Sequence, residues 1–262
     1  MTLETFDIII YCFVFVFGII LGSFLNSWIW RTRENVRIVS GFSICVHCRR
    51  QLIWYEKFPL FSFLFLHGQC RTCKKKIPMH YFLVELLTGL LLTAIIYFHN
   101  NYLAFSEWWI LRDVFFLTLL TVIFFFDYFY QEVLPRIVWP GAIIGFLINL
   151  FPLNYSLSSL LWGMIFGGGI FAIQYYISKG RWIGGGDVRL GIMMGAWLGW
   201  PNILVAIFIA YILGAIVGLG MMLAKQADRK TAIPFGTFLA VGTFVTMYFG
   251  TNIINWYLSF LP

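Results

Sequence analysis

Apolar runs of about 20 residues recur along this chain, and they limit its fold more than any other feature. Of its 262 residues, 61% are hydrophobic and 11% are charged, whereas a soluble domain carries about 25% charged residues. A helix of about 20 apolar residues crosses the hydrocarbon core of a bilayer. We therefore predict an all-α polytopic membrane protein with about eight transmembrane helices, although seven or nine spans would fit the same pattern. The predicted spans cover residues 8–30, 80–98, 109–128, 137–151, 158–177, 188–200, 202–224 and 235–260, and the fourth and sixth are short.

The charges around the first span predict an anchor rather than a cleaved signal peptide. Acidic residues precede this span, and Arg31 and Arg33 follow it, which is the reverse of the charge order in a signal peptide. We expect the N-terminus to lie outside. The predicted division is a first span over residues 1–30, a cytosolic insert over 31–79 and a transmembrane bundle over 80–262.

The basic residues predict which side of the membrane each loop occupies. With the insert in the cytosol, alternation of the eight spans places 17 of the 18 Lys and Arg residues inside and only Arg112 outside. This distribution follows the positive-inside rule. Because orientation explains the basic excess, nucleic acid is not indicated as a partner, whereas anionic headgroups of the bilayer are. Ten of the inside residues lie in the insert, and the others are Arg136, Lys179, Arg181, Arg189, Lys225, Arg229 and Lys230.

Two Cys-x-x-Cys pairs in the insert predict a structural metal site. Cys45 and Cys48 form the first pair, Cys70 and Cys73 form the second, and 21 residues separate the pairs. Each pair can present two sulfurs to one tetrahedral ion, which is typical of a Cys₄ zinc site. Iron would fit the same sulfurs, and a reducing cytosol disfavours the other alternative, a pair of disulfides. Zinc binding would supply folding energy that so small an insert lacks, with His47 as a solvated loop residue.

Two aspartates stand where apolar runs meet short loops. Asp127 ends the third predicted span, and Asp187 follows three glycines and begins the sixth. The predicted topology places both at the cytosolic face. A carboxylate in a membrane segment is costly and marks a functional site by default. The alternative for each is an interface residue that reaches the headgroups.

The glycines after Asp187 predict that its side chain points into the bundle. Gly191, Gly195 and Gly199 follow at intervals of four, and small residues at that spacing let helices pack closely. If Asp127 also lies there, the two carboxylates cannot both ionise at low cost and would titrate as a pair. One would act as a base on water, and the other as an acid on the scissile carbonyl or the leaving amine.

Other residues within spans have structural interpretations. Glu85 is expected to pair with a basic group or to cap a network, and Asp113 to pair with the adjacent Arg112 or to face the outer surface. The run Gly167–Gly169 is expected to make close helix contacts.

Several segments, in this order, resemble the type IV prepilin peptidases, which are integral-membrane aspartic proteases. The resemblance covers nearly the whole chain. Besides the two cysteine pairs, it rests on Gly22-Ser23-Phe24-Leu25-Asn26-Ser27, Leu83-Val84-Glu85-Leu86-Leu87-Thr88-Gly89, Gly184-Gly185-Gly186-Asp187-Val188-Arg189-Leu190 and Ile233-Pro234-Phe235-Gly236.

The resemblance implies an activity, a location and a set of site residues. Such enzymes cut the basic leader from type IV prepilins or type II secretion pseudopilins at the cytosolic face of the bacterial inner membrane. Members with the cysteine insert commonly also methylate the new N-terminal amine with S-adenosylmethionine. The expected partners are a prepilin or pseudopilin helix and the lipid bilayer. The resemblance maps the catalytic pair to Asp127 and Asp187, supported by Gly184, Gly185, Gly186 and Arg189.

Three rival functions differ from this one in features that the sequence or a variant can test. A presenilin-like or signal-peptide-peptidase-like protease shares the Gly-x-Gly-Asp element but needs a Pro-Ala-Leu motif, which the sequence lacks. A carboxylate-based transporter would place acids near the bilayer midplane rather than at span ends. A scaffold that displays the zinc module would lose function on Cys45→Ser but not on Asp187→Asn.

Overall fold

The computed structural model describes residues 3–37, 42–101, 106–225 and 233–260. Arg229 and Lys230, which the sequence places inside, lie outside the described residues. The α-helices in the described ranges are α1 (Leu3–Arg33), α2 (Phe61–Phe65), α3 (Met79–Asn101), α4 (Glu107–Tyr130), α5 (Pro135–Leu150), α6 (Leu157–Ser178), α7 (Gly185–Leu198), α8 (Asn202–Leu223) and α9 (Phe235–Leu258).

The predicted all-α membrane class is confirmed. In the described part of the chain, six helices are long and apolar enough to cross a bilayer, namely α1, α3, α4, α6, α8 and α9. The predicted fourth and sixth spans correspond to α5 with 16 residues and α7 with 14. These two helices are about 24 and 21 Å long, which is less than the core thickness of about 30 Å. Six full-length helices therefore stand where the sequence predicts about eight spans.

The chain divides into two compact units, Met1–Leu117 and Thr118–Pro262. The first unit contains α1 to α3 and the beginning of α4, and the second contains the end of α4 and the remaining helices. The division that the sequence suggests, at residues 30 and 79, stays a prediction.

In the first unit, α1 and α3 touch through their backbones at glycines. A Cβ atom added to Gly18 would lie 2.7 Å from the Cα of Gly89, and one added to Gly22 would lie 2.7 Å from the Cα of Glu85. No side chain fits at either position, so the two helices approach as closely as small residues allow.

The buried acid Asp113 pairs with basic groups, as the sequence predicts. Its Oδ1 lies 2.6 Å from a guanidinium nitrogen of Arg112, and its Oδ2 lies 2.9 Å from Nε2 of His99. All three side chains are buried. This polar cluster therefore ties the end of α3 to the first turns of α4.

In the second unit, α6 and α7 pack along a glycine seam made of Gly163, Gly167, Gly191 and Gly195. A Cβ on Gly195 would lie 2.2 Å from the carbonyl oxygen of Gly163, and one on Gly191 would lie 2.3 Å from that of Gly167. The four-residue spacing thus produces the close helix contact that the sequence predicts. Gly199 differs, because it caps α7 with a φ of +67° instead of lying within the helix.

The glycine run in α6 makes contacts at only some of its positions. A Cβ on Gly168 would lie 2.4 Å from Cγ1 of Ile192, whereas one on Gly169 would meet no atom within 4 Å. The prediction of close contacts is therefore wrong for Gly169, which faces away from α7.

The C-terminal end of α7 is held by α5. The side-chain amide of Asn149 donates to the carbonyl oxygens of Ala196 and Trp197 at 3.0 and 2.8 Å. These carbonyls belong to the last helical turn, which lacks intrahelical donors. The indole N–H of Trp197 donates in turn to the carbonyl of Gly141 at 2.9 Å. Because α5 and α6 both fix α7, they also fix Asp187 at its start.

Candidate active site and metal centre

Asp127 lies near the end of α4, and its carboxylate meets the beginning of α9. The side chain is buried, and its Oδ2 accepts a 3.0 Å hydrogen bond from the backbone N–H of Thr237. Since α9 begins at Phe235, this N–H is one of the first-turn donors that have no partner within the helix. The carboxylate therefore stands at the positive end of the α9 dipole.

The segment that opens α9 is shaped around this carboxylate. A Cβ on Gly236 would lie 2.9 Å from Oδ2 and 3.0 Å from Cγ of Asp127, so a side chain here would displace the acid. The ring of Phe235 packs against Tyr211 of α8 and Phe171 of α6, with centroid distances of 5.1 and 6.0 Å. Phe235 thus anchors the helix start, and Gly236 leaves room for Asp127.

Asp187 lies in the first turn of α7 and caps its own helix. Its side chain is buried, and its Oδ2 accepts a 3.1 Å hydrogen bond from the backbone N–H of Gly184. Both aspartates therefore accept a backbone N–H at the start of a helix, where a negative charge is stabilised.

Val133, in the loop between α4 and α5, contacts the starts of both α7 and α9. A Cβ on Gly186 would lie 2.9 Å from Cβ of Val133, and one on Gly236 would lie 3.3 Å from its Cγ2. The start of α7 and the start of α9 therefore meet the same side chain. The structure brings the two predicted aspartates together.

Of the residues predicted to support Asp187, the three glycines lie at the start of α7, whereas Arg189 lies on its exposed side. Gly184 caps α7, Gly185 is its first residue, and Gly186 gives Val133 its close approach. Arg189 is exposed on the first turns of α7, so its side chain points away from the buried carboxylates.

Sequence reasoning did not assign Val133, Gly236 or Thr237 to the site. The only sequence feature that pointed to this segment was Pro234-Phe235-Gly236, as one of the motifs that carry the family resemblance. A contact between Asp127 and Thr237 spans 110 positions, and no local spacing pattern reports such a separation.

The four predicted cysteines form one cluster in the first unit. Their sulfurs all lie within 4.8 Å of one another, and the Cys45 and Cys73 sulfurs are 4.0 Å apart. Zinc–sulfur bonds of about 2.3 Å in a tetrahedron require about 3.8 Å between sulfurs. All four cysteines are free thiols, so the cluster fits a Cys₄ metal site rather than two disulfides.

The two cysteine knuckles share a backbone hydrogen bond and a left-handed residue. In each, the N–H of the first cysteine donates to the carbonyl five residues later at 2.9 Å, with Arg50 and Lys75 as acceptors. The residues after the second cysteines, Arg49 and Lys74, share left-handed φ values of 58° and 56°. This turn aims backbone N–H groups at the sulfurs.

These N–H groups favour the thiolate form that a metal ion binds. The backbone N–H of Cys73 contributes most to lowering the pKa of Cys70 to about 6, whereas burial raises the pKa of Cys45 to about 11. The imidazole of His47 is exposed, and its Nε2 lies 3.3 Å from the carbonyl oxygen of Lys76. The cluster that could hold a metal ion therefore consists of the four cysteines, without His47.

Comparisons with known proteins assign the chain to a family. Residues 16–99 match the model of the bacterial peptidase A24 N-terminal domain, and residues 114–219 match that of the type IV leader peptidase family. A protein of Stutzerimonas stutzeri, named prepilin leader peptidase/N-methyltransferase, is 32% identical over 94% of this chain and 92% of its own length. The chain belongs to the type IV leader peptidase family.

Further relatives of this leader peptidase carry the same name. A Pseudomonas aeruginosa protein is 30% identical over 93% of this chain and 91% of its own, and a Bacillus subtilis protein is 30% identical over 94% and 97%. No solved structure matches the chain.

The two matched ranges of this leader peptidase separate its predicted sites. The N-terminal range, 16–99, contains the four cysteines, and the range 114–219 contains both aspartates. Gly236 and Thr237 lie beyond the second range. Membership makes the chain an aspartic peptidase, and the name of its relatives joins that activity to an N-methyltransferase.

Proposed function

We propose that this leader peptidase cuts the leader from type IV prepilins or pseudopilins, with Asp127 and Asp187 as its catalytic pair. The observation that carries the assignment is that two buried carboxylates lie at the starts of α7 and α9, and that both starts contact Val133. The names of the curated relatives support a prepilin as the substrate.

The pair can perform peptide hydrolysis without further groups. Two adjacent carboxyls hold one proton between them at low cost. The ionised aspartate takes a proton from water as the water oxygen bonds to the scissile carbonyl carbon. The protonated aspartate donates to the carbonyl oxygen, and a proton then passes to the amine as the C–N bond breaks. The two helix starts stabilise the remaining negative charge.

We place this reaction at the cytosolic face of the bacterial inner membrane, with the N-terminus outside. Basic residues stand at the same helix ends as the aspartates, which supports the orientation through the positive-inside rule. Arg136 is the second residue of α5, Arg181 follows α6, and Arg189 lies on α7.

The loop with Val133 also suggests how a basic leader is recognised. Glu132 precedes Val133 in this loop and is exposed. Its carboxylate would attract the lysines of a leader to the neighbourhood of the aspartates. This interaction would affect substrate binding rather than the chemical step.

We further propose that the chain methylates the new N-terminus and that the first unit performs this second reaction. The leader peptidase range contains the aspartates, so the A24 N-terminal range is available for methylation. S-adenosylmethionine would supply the methyl group. Zinc held by Cys45, Cys48, Cys70 and Cys73 would be structural, since four protein ligands leave no open coordination position.

Leader cleavage tests the peptidase assignment directly. The chain would be co-expressed with a prepilin that has a Gly-Phe junction, and the mass of the pilin would be measured. We expect cleavage by the parent and its loss in both Asp127→Asn and Asp187→Asn. Glu107→Gln, which changes an exposed acid in the first turn of α4, is the matched control and should cleave normally.

Each outcome bears on a separate part of the proposal. Cleavage that persists in either asparagine variant would remove that aspartate from the mechanism. Failure of the parent to cut any of several prepilins would overturn the substrate assignment.

A further inference from the structure

The short helix α2 of the insert is apolar on two opposite sides, and the described residues cover only one of them. Phe63 packs against Phe82 of α3, with a centroid distance of 5.4 Å. It also lines a cavity of about 460 Å³ between α1, the cysteine knuckles and the beginning of α3. On the other side, Phe61, Leu64 and Phe65 stand three and four positions apart and are exposed, Phe65 by 79%.

The segment that precedes α2 adds two exposed rings. It contains the 3₁₀ turn Trp54–Lys57, which packs against α2. The ring of Trp54 lies 5.9 Å from that of Phe58 between centroids, and both side chains are exposed, Trp54 by 72%. We call five exposed side chains the apolar face of the insert, namely Trp54, Phe58, Phe61, Leu64 and Phe65. A group of exposed apolar side chains marks a surface that a membrane or a partner covers.

The contacts of α2 place it beside the first two turns of a membrane helix. Oε2 of Glu85 in α3 accepts the backbone N–H of Leu60 at 2.8 Å and so holds the N-terminal end of α2. The sequence predicts a basic partner or a capping role for Glu85, and none of the ion pairs among the described residues includes it. Phe82 and Glu85 stand three and six residues past Met79, the first residue of α3, or about 5 and 9 Å along the helix.

The length of α3 places these two turns at the boundary of the hydrocarbon core. With 23 residues, α3 is about 35 Å long, and the core is about 30 Å thick. Only about 5 Å of an upright α3 therefore remains outside the core. The level of Phe82 and Glu85 is thus at the edge of the core or within it, and α2 is attached at this level.

The register of α1 against α3 shows which part of the first unit lies farther out. Gly22 lies against Glu85. One turn earlier, Gly18 lies against Gly89, so the two helices are antiparallel and the start of α3 is level with position 28 of α1. Glu34, whose N–H still bonds to the last turn of α1, lies about 9 Å beyond that level. Glu34 and α2 therefore lie on opposite sides of the level at which α3 begins.

Basic groups accompany the apolar face. Lys57 lies between Trp54 and Phe58 in sequence, and the run 74–76 consists of three lysines that precede α3 by two residues. All four lysines are exposed, and no ion pair among the described residues includes them. Positive charge next to exposed apolar rings is the pattern of a segment that lies on anionic headgroups.

The acids of the insert do not offset this positive charge. Glu34 pairs with Arg49 at 3.0 Å, and Glu56 pairs with Arg50 at 2.7 Å. No other acid occurs between residues 31 and 79. A further cation, the guanidinium of Arg71, lies over the ring of Tyr55 beside Trp54. The insert therefore presents a net positive surface where the apolar face is exposed.

We propose that the turn Trp54–Lys57 and α2 lie in the headgroup layer of the bilayer at the start of α3. The apolar face contacts the acyl chains, and Lys57 contacts the phosphate of an anionic phospholipid. A helix of five residues cannot span the core, so the segment lies along the interface, where tryptophan is favoured. Lipid then covers the side of α2 that the described residues leave open. Because α2 is also a wall of the cavity, the bilayer fixes the position of that wall.

Photo-crosslinking of the full chain in lipid nanodiscs tests the depth of the apolar face. The photoreactive residue p-benzoylphenylalanine would replace Phe65, and mass spectrometry after irradiation would identify what it has bonded to. We expect a phospholipid adduct at this position. The matched control carries the same photoreactive residue in place of Glu34, which is also exposed but lies farther out, and it should give little lipid adduct.

A second variant, with the photoreactive residue in place of Phe61, makes the test independent of one substitution. Thermal melts would show that each variant folds as the parent does. No lipid adduct at either Phe61 or Phe65, or equal lipid yields at Phe65 and Glu34, would overturn the proposal. Cross-links from Phe65 to a second copy, or to another segment of the chain, in place of lipid would overturn it too, because protein would then cover the apolar face.

The charge of Lys57 is tested in nanodiscs that contain equal amounts of phosphatidylglycerol and phosphatidylcholine. Adducts at Phe65 should be enriched in phosphatidylglycerol. Lys57→Gln should lower this enrichment about fivefold, which corresponds to about 1 kcal/mol for one basic group near an anionic surface. Lys57→Arg retains the charge and should retain the enrichment. Equal enrichment in Lys57→Gln and Lys57→Arg would overturn the role of Lys57, and no enrichment with the parental lysine would overturn the preference for anionic lipid.

Discussion

Gly236→Ala tests whether the start of α9 positions the Asp127 carboxylate. The new methyl carbon would lie 2.9 Å from Oδ2 of Asp127, where ordinary contacts begin near 3.4 Å. The carboxylate must therefore move by about 0.5 Å, which would stretch its 3.0 Å bond from the Thr237 N–H beyond hydrogen-bonding distance. A hydrogen bond to a charged group contributes about 1.5–3 kcal/mol. At about 1.4 kcal/mol per factor of ten, kcat should fall about 10- to 100-fold.

The assay is the rate of leader cleavage at saturating prepilin, with a thermal melt of each variant. Gly220→Ala is the matched control, because a Cβ on this glycine of α8 meets no atom within 4 Å. It should cleave within about twofold of the parent. If Gly236→Ala were folded and cut prepilin as fast as Gly220→Ala, the proposed contact between α9 and Asp127 would not matter for catalysis.

Other predictions concern packing, the metal and the leader. Gly195→Ala should lower the melting temperature, because its methyl would meet a facing carbonyl oxygen at 2.2 Å and overpacking costs about 1–3 kcal/mol. A Cβ on Gly169 meets no atom within 4 Å, so Gly169→Ala should raise the melting temperature slightly through helix propensity. Equal changes in melting temperature for the two variants would contradict the close packing of α6 against α7. Cys70→Ser should abolish bound zinc in elemental analysis, whereas Cys12→Ser, an exposed thiol on α1, should retain it; parental zinc in Cys70→Ser would refute the site. Glu132→Gln should raise KM for a prepilin with a lysine-containing leader and leave KM unchanged when glutamines replace those lysines. An unchanged KM for both substrates would exclude this acid from leader recognition.

The helices and their packing could be predicted because they depend on local patterns. Apolar runs define membrane helices wherever they occur, and the four-residue spacing of Gly191 and Gly195 places both on one face of α7. The lengths of the apolar runs were also informative. The two spans predicted to be short correspond to α5 and α7, which are shorter than the thickness of a bilayer core. What the spacing could not supply was the identity of the facing residues in α6.

The aspartate site was predictable only in part. Asp127 and Asp187 stand out in sequence because an acid at the end of an apolar run is costly. Their partners do not stand out, because the N–H of Thr237 is a backbone group that every residue type except proline provides. The need for glycine at 236 likewise arises from the position of Asp127 in space.

The metal site, unlike the aspartate site, could be predicted almost entirely from local sequence. The Cys-x-x-Cys spacing determines a knuckle locally, so both ends of the cluster could be predicted without tertiary structure. The neighbouring cavity, in contrast, depends on the positions of α1, α2 and the beginning of α3 together.

The depth of the Asp187 carboxyl follows from the register of the glycine seam. Gly191 faces Gly167 across the two helices, so one further turn brings Asp187 level with Phe171. Beyond Phe171, α6 continues to Ser178, a distance of about 10 Å. In the proposed reaction, a peptide that runs along this end of α6 to the aspartates spans that length with about three extended residues.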